Sequence, residues 1–388
     1  QKSYGGDVIS RIAYAADKAE GLKRLQMEIT SQLEEMIKGL ASKNKIELEH
    51  IYNIVIAANT TMIHLFAGLP PEHIAAAPFT PVATRLMVYP AEQFGVNINS
   101  ACRIFVLPSI SGYVGADIVA GILSTGMDKS DDLSLMIDIG TNGEMVLGNK
   151  EGLISCSTAA GPAFEGANIR NGVGGVAGAI NTVRLEDDGI RYTTISGTAP
   201  IGICGSGIVD VLAVLLDAGI IDETGRILPA DEIESEIGKK LKERLTEVDD
   251  MPAFIIAKGE ETRSGEPIVM TQKDVREIQL AKAAIAAGTR VIVQKMGKSM
   301  GEIKRLYLAG GFGSYIDKRN AVRIGLLPKE LEHQIIAVGN AAGTGALLSL
   351  LSRKLIQRSN IIKTMVKYVE LSTSPEFQEE YVNCMYFD

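Results

Sequence analysis

The stretch MIDIGTNGE, residues 136–144, decides the fold. Its apolar start predicts a buried strand, residues 140–143 predict a tight turn, and Glu144 begins a returning strand. The small turn residues leave backbone amides open to phosphate oxygens. A hydrated Mg²⁺ could bridge Asp138 and those phosphates, because Mg²⁺ prefers few carboxylates and several waters. A plain β-hairpin with a glycine turn explains the same residues equally well.

Three other glycine segments each lead into a helix. Residues 202–210 (GICGSGIVD) open an apolar helix, where backbone amides could meet phosphate or ribose. Residues 306–314 (LYLAGGFGS) end a strand in two glycines, against which a flat ring could lie. Residues 112–117 (GYVGAD) open a third helix, in which Asp117 could be an ordinary first-turn acid stabilised by the helix dipole. Close packing by glycine explains each segment taken alone.

The composition predicts a globular protein of about two to three domains. Its 388 residues are 46% hydrophobic and 22% charged, and Lys and Arg total 39 against 47 Asp and Glu, a net charge of −8. No basic run occurs, so nucleic acids and anionic membranes are poor candidate partners. The longest apolar stretch, 201–221, contains Asp210 and Asp217 and predicts no membrane span. With no signal peptide visible, we expect a cytoplasmic protein.

The number and spacing of the cysteines limit the redox and metal sites that this sequence can form. Only four occur, widely separated at positions 102, 156, 204 and 384. A disulfide framework, a zinc site or an iron–sulfur cluster needs closer spacing, so we expect none of them within the 388 residues. Cys204 lies in an apolar setting and is interpreted as a packing residue.

The pattern of elements is α/β, with its main boundary in the polar segment 127–132 (MDKSDD). We predict a first domain over 1–128, a second over 129–352, and a tail over 353–388 that packs on both. The predicted elements are helices over much of the first fifty residues and over 232–245, 271–296 and 340–352, a short terminal helix, strands over 54–58, 103–107, 133–138, 305–308 and 366–371, a hairpin over 184–195, and a glycine-rich loop over 155–180.

The order of these pieces resembles the actin-like ATPase superfamily, the ASKHA fold. The resemblance implies a two-lobed, ribonuclease H-like α/β architecture, with Mg²⁺ bound through water by Asp138. In that superfamily the hairpin is the second phosphate loop, and the LAGGFGS-like turn holds adenosine. The matched residues are Gly140, Thr141, Asn142 and Gly143 in the phosphate loop, and Gly310, Gly311, Phe312 and Gly313 in the adenosine turn.

Other residues are candidates for the same site. Asp117 falls where some members of the superfamily keep an acid near the attacking water. Gly205 and Ser206 begin the glycine loop that suits phosphate or ribose contact. The long helix after residue 271 would pass the ribose, which makes Gln279 and Lys282 candidate contacts, although a solvated helical face explains both. Second-choice site residues, each also explained as an ordinary strand-end, loop or helix carboxylate, are Glu144, Glu165 and Asp210.

Finer motifs are similar to the reductive activators of corrinoid proteins, over essentially the whole chain. The resemblance implies ATP binding and hydrolysis that accompany electron transfer from an iron–sulfur cluster to a corrinoid protein partner. The electron returns cob(II)alamin to the cob(I)alamin state needed for methyl transfer. A homodimer is also implied. The motifs are YGGDVISRI at 4–12, NTTMIHL at 59–65, STAAGPAFEGANI at 157–169, CGSGIVD at 204–210, TQKDVREIQLAKAAI at 271–285 and the ending over 370–387.

Two expected pieces of that family are missing from the sequence. Members usually carry an N-terminal ferredoxin-like domain with a 2Fe-2S cluster, and its cysteines are absent here. A first phosphate hairpin, DIGTT-like and upstream of residues 4–12, is absent too. Since the chain also begins with Gln1 rather than methionine, we expect it to be the C-terminal portion of a longer protein.

Two other functions share the nucleotide loops. A small-molecule kinase of the same superfamily would transfer phosphate to an acid or a sugar, and would need an acceptor pocket with a base. A non-enzymatic, nucleotide-gated scaffold of the actin-like type would use binding to drive assembly. Superfamily membership alone does not separate these from the reductive activator.

Overall fold

The computed structural model describes residues 4–5, 7–18, 20–96, 98–186 and 189–387. Its helices are α1 (Val8–Asp17), α2 (Gly21–Asn44), α3 (Thr60–Ala67), α4 (Ala116–Thr125), α5 (Gly205–Asp217), α6 (Glu236–Leu241), α7 (Gln272–Lys295), α8 (Gly310–Gly313), α9 (Lys318–Arg323), α10 (Ala341–Leu351), α11 (Arg353–Met365) and α12 (Pro375–Asn383). Its strands are β1 (Asn53–Ile56), β2 (Met87–Pro90), β3 (Arg103–Val106), β4 (Ser134–Ile139), β5 (Gly143–Asn149), β6 (Gly152–Thr158), β7 (Ala179–Glu186), β8 (Gly189–Thr194), β9 (Gly202–Ile203), β10 (Leu245–Val248), β11 (Met251–Ala257), β12 (Ile268–Thr271), β13 (Arg305–Ala309), β14 (Ile335–Gly339) and β15 (Val366–Tyr368).

These elements form two compact units, and each is built from separate parts of the chain. The first unit takes the described residues up to Asp131, together with Gly148–Cys156 and Asn340–Val369. The second takes Asp132–Leu147, Ser157–Gly339 and the described residues from Glu370 onward. The division passes through β5 and β6.

The first unit contains a small three-stranded sheet. β1 and β3 pair in parallel, and β2 runs antiparallel to β3. Its core includes Ile63 and Phe66 of α3 and Ile104 and Val106 of β3, all buried. The predicted cap of α3 is confirmed, because the Asn59 side chain accepts a hydrogen bond of 2.8 Å from the Met62 amide.

Helix α10 belongs to the first unit because it packs closely on α4. The space between them is so narrow that a Cβ on Gly345 would overlap the carbonyl group of Ala120. In the same unit, Arg358 of α11 donates a 2.6 Å hydrogen bond to the buried carboxylate of Asp128. The predicted helix over 340–352 therefore exists, but it is grouped with the first unit and not, as the predicted domain limits had it, with residues 129–339.

The second unit is organised on parallel strands. β13 lies between β14 and β4 and pairs in parallel with both, and β5 follows β4 in the strand order. All residues of β4 except Asp138 are buried, as is usual for a parallel strand covered on both faces. Helix α7 packs against this hairpin, with Ile285 close to Gly143. Its predicted N-terminal capping box, Thr271 with Asp274, is confirmed.

Two antiparallel groups of strands complete the second unit. β10, β11 and β12 form one sheet, and β8, β7 and β9 form another. β7 and β8 confirm the predicted hairpin over 184–195, although its turn residues 187 and 188 lie outside the described residues. Two predictions were too long. Within 232–245 the α-helix is only α6, followed by a 3-10 turn at Lys242–Arg244, and the predicted loop over 155–180 begins in β6 and ends in β7. No helix in the described ranges is long and apolar enough to cross a membrane.

The C-terminal helix α12 lies along α7. Two ion pairs join them, Arg290 to Glu380 at 3.1 Å and Lys295 to Glu376 at 2.8 Å. Beneath these pairs, Cys384 packs with alanines of α7 in a small buried cluster. Because exposed ion pairs contribute little, the apolar contact provides most of the stabilisation.

Substitution of Gly345 tests the close approach of α10 to α4. In Gly345→Ala, the added methyl group would push the two helices apart, and we expect the free energy of unfolding to fall by about 1–3 kcal/mol. Urea denaturation followed by circular dichroism measures this change.

The matched control is Gly39→Ala, in the middle of α2, where nothing lies within 4 Å of the Cβ position. Alanine there should leave the stability unchanged or raise it by up to about 1 kcal/mol. A similar loss in both variants would refute the packing argument.

Candidate functional site

The hairpin between β4 and β5 presents a carboxylate beside a turn of small residues. The amide of Gly140 donates a 2.9 Å hydrogen bond to the carbonyl of Asn142, which closes the turn. The carboxylate is that of Asp138, which is only partly buried, while its neighbours Ile137 and Ile139 in β4 are buried. The strand thus anchors its backbone in the core and delivers the Asp138 side chain to the carboxyl edge of the sheet.

The AGGFG turn meets the hairpin at that edge. Ala309 pairs with Asp138 in the parallel register of β13 and β4. The next residue, Gly310, has a φ of +90°, and a Cβ there would stand 2.7 Å from Asp138 Oδ1. Only glycine therefore permits the carboxylate to lie against this backbone. Nothing lies within 4 Å of the Cβ position of Gly311, so the turn faces open space.

The N-terminus of α5 joins the same group. A Cβ on Gly205 would overlap the carbonyl oxygen of Phe164 and would lie 2.9 Å from the ring of Phe312. The two phenylalanine rings are stacked, with centroids 5.1 Å apart and planes 24° from parallel. Three glycine segments that are far apart in sequence thus meet, and Phe164 is the member that the motifs did not single out. Its only sequence signal was the segment 157–169.

Two further carboxylates lie at the hairpin. The Thr141 hydroxyl donates a 2.8 Å hydrogen bond to Glu165 Oε1. The Ser157 hydroxyl lies 3.4 Å from Glu144 Oε1. Glu165 comes from the glycine-rich segment, so this contact fixes that segment to the phosphate-loop candidate. The second-choice residues Glu144 and Glu165 are therefore both placed beside the hairpin.

Ser206 and Asp210 of α5 use their side chains inside the protein. The Ser206 hydroxyl donates to the carbonyl of Asn181 at 2.8 Å. Asp210 accepts from the Val183 amide at 3.1 Å and from Asn320 Nδ2 at 2.7 Å. Burial raises the pKa of Asp210 to about 6, against the opposing effect of these hydrogen bonds. Asp210 therefore ties α5 to β7 and α9, and the nucleotide contact of Ser206 stays a prediction.

Gln279 and Lys282 hold the C-terminal segment. Each side chain is only 1% exposed, which excludes the solvated helical face. Gln279 Nε2 donates to the carbonyl of Met385 at 3.0 Å, and the Lys282 ammonium donates to that of Tyr386. The ammonium also lies 4.7 Å from the centroid of the Phe387 ring. Their predicted contact with ribose stays a prediction, and the alanine-rich sequence around them is the signal that they are interior.

Asp117 lies in the first unit, at the start of α4. The amide of Ala116 donates a 3.0 Å hydrogen bond to the carbonyl of Ala58, just before the cap of α3. Gly115 allows this approach, because a Cβ there would stand 2.7 Å from the Ala58 carbonyl oxygen. Burial raises the pKa of Asp117 to about 6. The carboxylate is thus held at the junction of two helix N-termini.

The described residues contain no group of three or more His, Cys, Asp or Glu side chains arranged to hold a metal ion. All four cysteines are buried, and none forms a disulfide.

Two models of known protein families match the chain, and together they cover nearly all of it. Residues 132–388 match the family described as the C-terminal domain of RACo, the ASKHA domain, and residues 1–130 match the RACo middle region. The chain belongs to the RACo family. The predicted ASKHA fold and the resemblance to corrinoid-protein activators are therefore confirmed.

Individual relatives agree with this assignment. The chain is 39% identical over 390 residues to the corrinoid activation enzyme RamQ of Eubacterium limosum, covering 100% of this chain and 65% of RamQ. It is 24% identical over 416 residues to the Co(II) methylated amine-specific corrinoid protein reductase of Methanosarcina barkeri, covering 97% and 69%. A solved reductive activator for corrinoid,iron-sulfur protein superposes with a TM-score of 0.88 at 39% identity, covering 100% of this chain and 60% of that one. The chain thus spans about two thirds of these RACo relatives.

Asp210 predicts a dependence of stability on pH. Its carboxyl pKa is about 6 in the folded protein and about 3.8 when unfolded, so the folded state holds the proton more tightly. Its contribution to stability is fully present below pH 3.8 and is lost as the pH rises through 6. We expect the free energy of unfolding to decline over this window by at most about 3 kcal/mol relative to Asp210→Asn, which cannot ionise. Urea denaturation at a series of pH values measures the difference.

The control is Asp217→Asn, which alters an exposed carboxylate near the end of the same helix. Its stability should follow that of the unaltered protein through the same pH range. The interpretation fails if Asp210→Asn shows the original pH slope.

Proposed function

We propose that this chain is the ATP-binding and ATP-hydrolysing part of an activator that reduces corrinoid proteins from Co(II) to Co(I) for methyl transfer. The observation that carries the proposal is the meeting of the hairpin, the AGGFG turn and the N-terminus of α5 in one ASKHA domain. The names of the RACo relatives support the choice of substrate, because they act on corrinoid proteins. The proposed partner is accordingly a corrinoid protein and not nucleic acid or a membrane.

The hairpin and the turn fit Mg-ATP. At Gly140 the nearest atoms to a Cβ position are the Asn142 carbonyl oxygen at 3.8 Å and Glu165 Oε1 at 3.9 Å, and at Gly311 nothing lies within 4 Å, so both positions leave room for a ligand. The backbone amides of the turn, contributed by Thr141, Asn142 and Gly143, would donate to the phosphates. Asp138 would hold Mg²⁺ through water. When bound, Mg²⁺ supplies positive charge that neutralises the phosphate oxygens.

The adenosine would lie on the AGGFG turn. Gly310, Gly311 and Gly313 present backbone without side chains, and Phe312 is braced by its stack on Phe164. Gly205, at the N-terminus of α5, lies against the Phe312 ring of this turn, and the amides of Gly205 and Ser206 would contact the phosphate or the ribose. A rigid aromatic pair beside bare backbone would orient a flat ring and exclude water from one side of it.

Two acids would position the water and the phosphate loop. Asp117, with a pKa of about 6, is largely ionised at pH 7 and could accept a hydrogen bond from the attacking water. Glu165 orients the Thr141 hydroxyl through the 2.8 Å hydrogen bond, which keeps the loop in one conformation.

We assign the electron transfer to a part of the protein outside these 388 residues. A 2Fe-2S cluster needs several cysteines at close range, and the four cysteines here are scattered. These 388 residues alone would then be redox-inactive, and the activity that they contribute would be nucleotide hydrolysis. We also propose a homodimer, on the resemblance alone, and a cytoplasmic location, which the four cysteines without a disulfide support.

Asp138→Asn should lower Mg-dependent ATP hydrolysis by at least 100-fold, because the neutral amide holds water-bound Mg²⁺ poorly. Release of inorganic phosphate from ATP by the full-length protein measures the rate. The matched control is Asp132→Asn, just before the other end of β4, which loses a surface ion pair with Arg305 and should keep at least half of the activity. Equal rates in the two variants would remove Asp138 from the site.

The whole proposal is tested by corrinoid reduction. Full-length protein, a low-potential reductant, ATP and a corrinoid protein in the Co(II) state should give the visible absorbance of Co(I), and omission of ATP should abolish it. Asp138→Asn should fail in the same assay while Asp132→Asn succeeds. Reduction at the same rate without ATP, or none with any corrinoid partner, would falsify the proposed function.

A further inference from the structure

The second unit contains a cavity of about 760 Å³ that the proposed function does not use. It lies between α7, α9, the segment 325–332 and the C-terminal segment. Its size is within the range of about 300–1,000 Å³ that is typical of small-molecule sites. Lys282, a predicted ribose contact, lines the cavity, but none of the lining residues belongs to the hairpin 138–143 or to the turn 310–313. The cavity is therefore a separate feature of the same unit.

Positive charge predominates in the wall. Three carboxylates, Asp217, Glu330 and Glu332, line the cavity. The basic side chains that line it are Lys282, Arg290, Arg319, Arg323 and Lys329. Glu380 pairs with Arg290 from outside the lining, so the surplus is one positive charge, in a chain whose net charge is −8. Such a local reversal of sign favours anions over cations at this place.

The charges are arranged from rim to base. Arg319 is 88% exposed and reaches Glu332 only at 4.0 Å, a distance that leaves its guanidinium able to bind a ligand. Lys329 is exposed as well and forms no ion pair with the residues that the structure describes. At the base, Lys282 is 1% exposed and lies beneath the C-terminal segment. An anion that enters would therefore meet the exposed cations Arg319 and Lys329 before it reaches the buried Lys282.

The uncharged part of the wall has an apolar patch beside the polar side chains of Asn320, Asn383 and Tyr386. Met300, Val322, Leu327 and Pro328 lie on one side, and Ala286 of α7 forms part of the other. Bulk water or a bare inorganic ion would leave this surface without a partner. A ligand with an apolar body beside its charges would cover it and gain about 25 cal/mol for each Å² removed from water.

We propose that this cavity binds a small organic dianion, with its two negative charges against the basic rim and base and its apolar body against Met300 and Leu327. Phosphate monoesters and dicarboxylates share this chemistry. The ligand would touch α7 and the C-terminal segment together, and so would hold Asn383, Cys384 and Tyr386 on the helix.

Two probes distinguish the sources of the charge. Phenyl phosphate and phthalate each carry two negative charges beside an aromatic ring, and isothermal titration calorimetry of the full-length protein with saturating Mg-ADP measures their binding. We expect at least one to bind with a dissociation constant below about 1 mM, and more tightly than inorganic phosphate. Lys329→Glu should weaken that binding at least tenfold.

The matched control is Lys304→Glu, an exposed lysine of the same unit that does not line the cavity. It should change the affinity less than twofold. No binding of either probe, or equal weakening in the two variants, overturns the proposal. ADP affinity should be the same in Lys329→Glu and in the unaltered protein, so a failure of the nucleotide site and a failure of the cavity give different results.

Discussion

The contact between the Asp138 carboxylate and the backbone of Gly310 is the constraint on which the candidate site depends. It can form only because β4 and β13 pair in parallel and in register, so that Ala309 stands beside Asp138. It also needs a residue without Cβ that accepts a φ of +90°. A sheet packed for burial thus places an ionisable group and an open turn at one edge, which is where open α/β sheets bind ligands.

The sequence predicted the β4–β5 hairpin and the start of α7 well because their signals are local. A short apolar strand followed by Gly, Thr and Asn fixes a hairpin, and the Thr271 cap fixes the start of α7, whatever the rest of the chain does. The meeting of the glycine segments followed from their order, through the resemblance to a known superfamily. Spacing alone could not have placed Gly205 against Phe312, since more than a hundred residues separate them.

Other features depended on contacts that one segment does not reveal. Gln279 and Lys282 look like a solvated face in sequence, but the C-terminal segment buries both. Residues 232–245 have helical periodicity, yet after α6 the chain turns into β10, where pairing with β11 prevails over local preference. The stack of Phe164 on Phe312 was missed for the same reason, because neither residue has a periodic partner nearby.

The way in which each unit is assembled from separate segments bears on how the protein is made. Gln279 and Lys282 each donate a hydrogen bond to the C-terminal segment 385–387, and α4 receives α10 only after residue 341. During synthesis on the ribosome, neither unit can complete its packing until these late segments have emerged. Until then the nascent chain exposes the apolar face of α4 and the polar groups of α7, so we expect its early intermediates to require protection from aggregation.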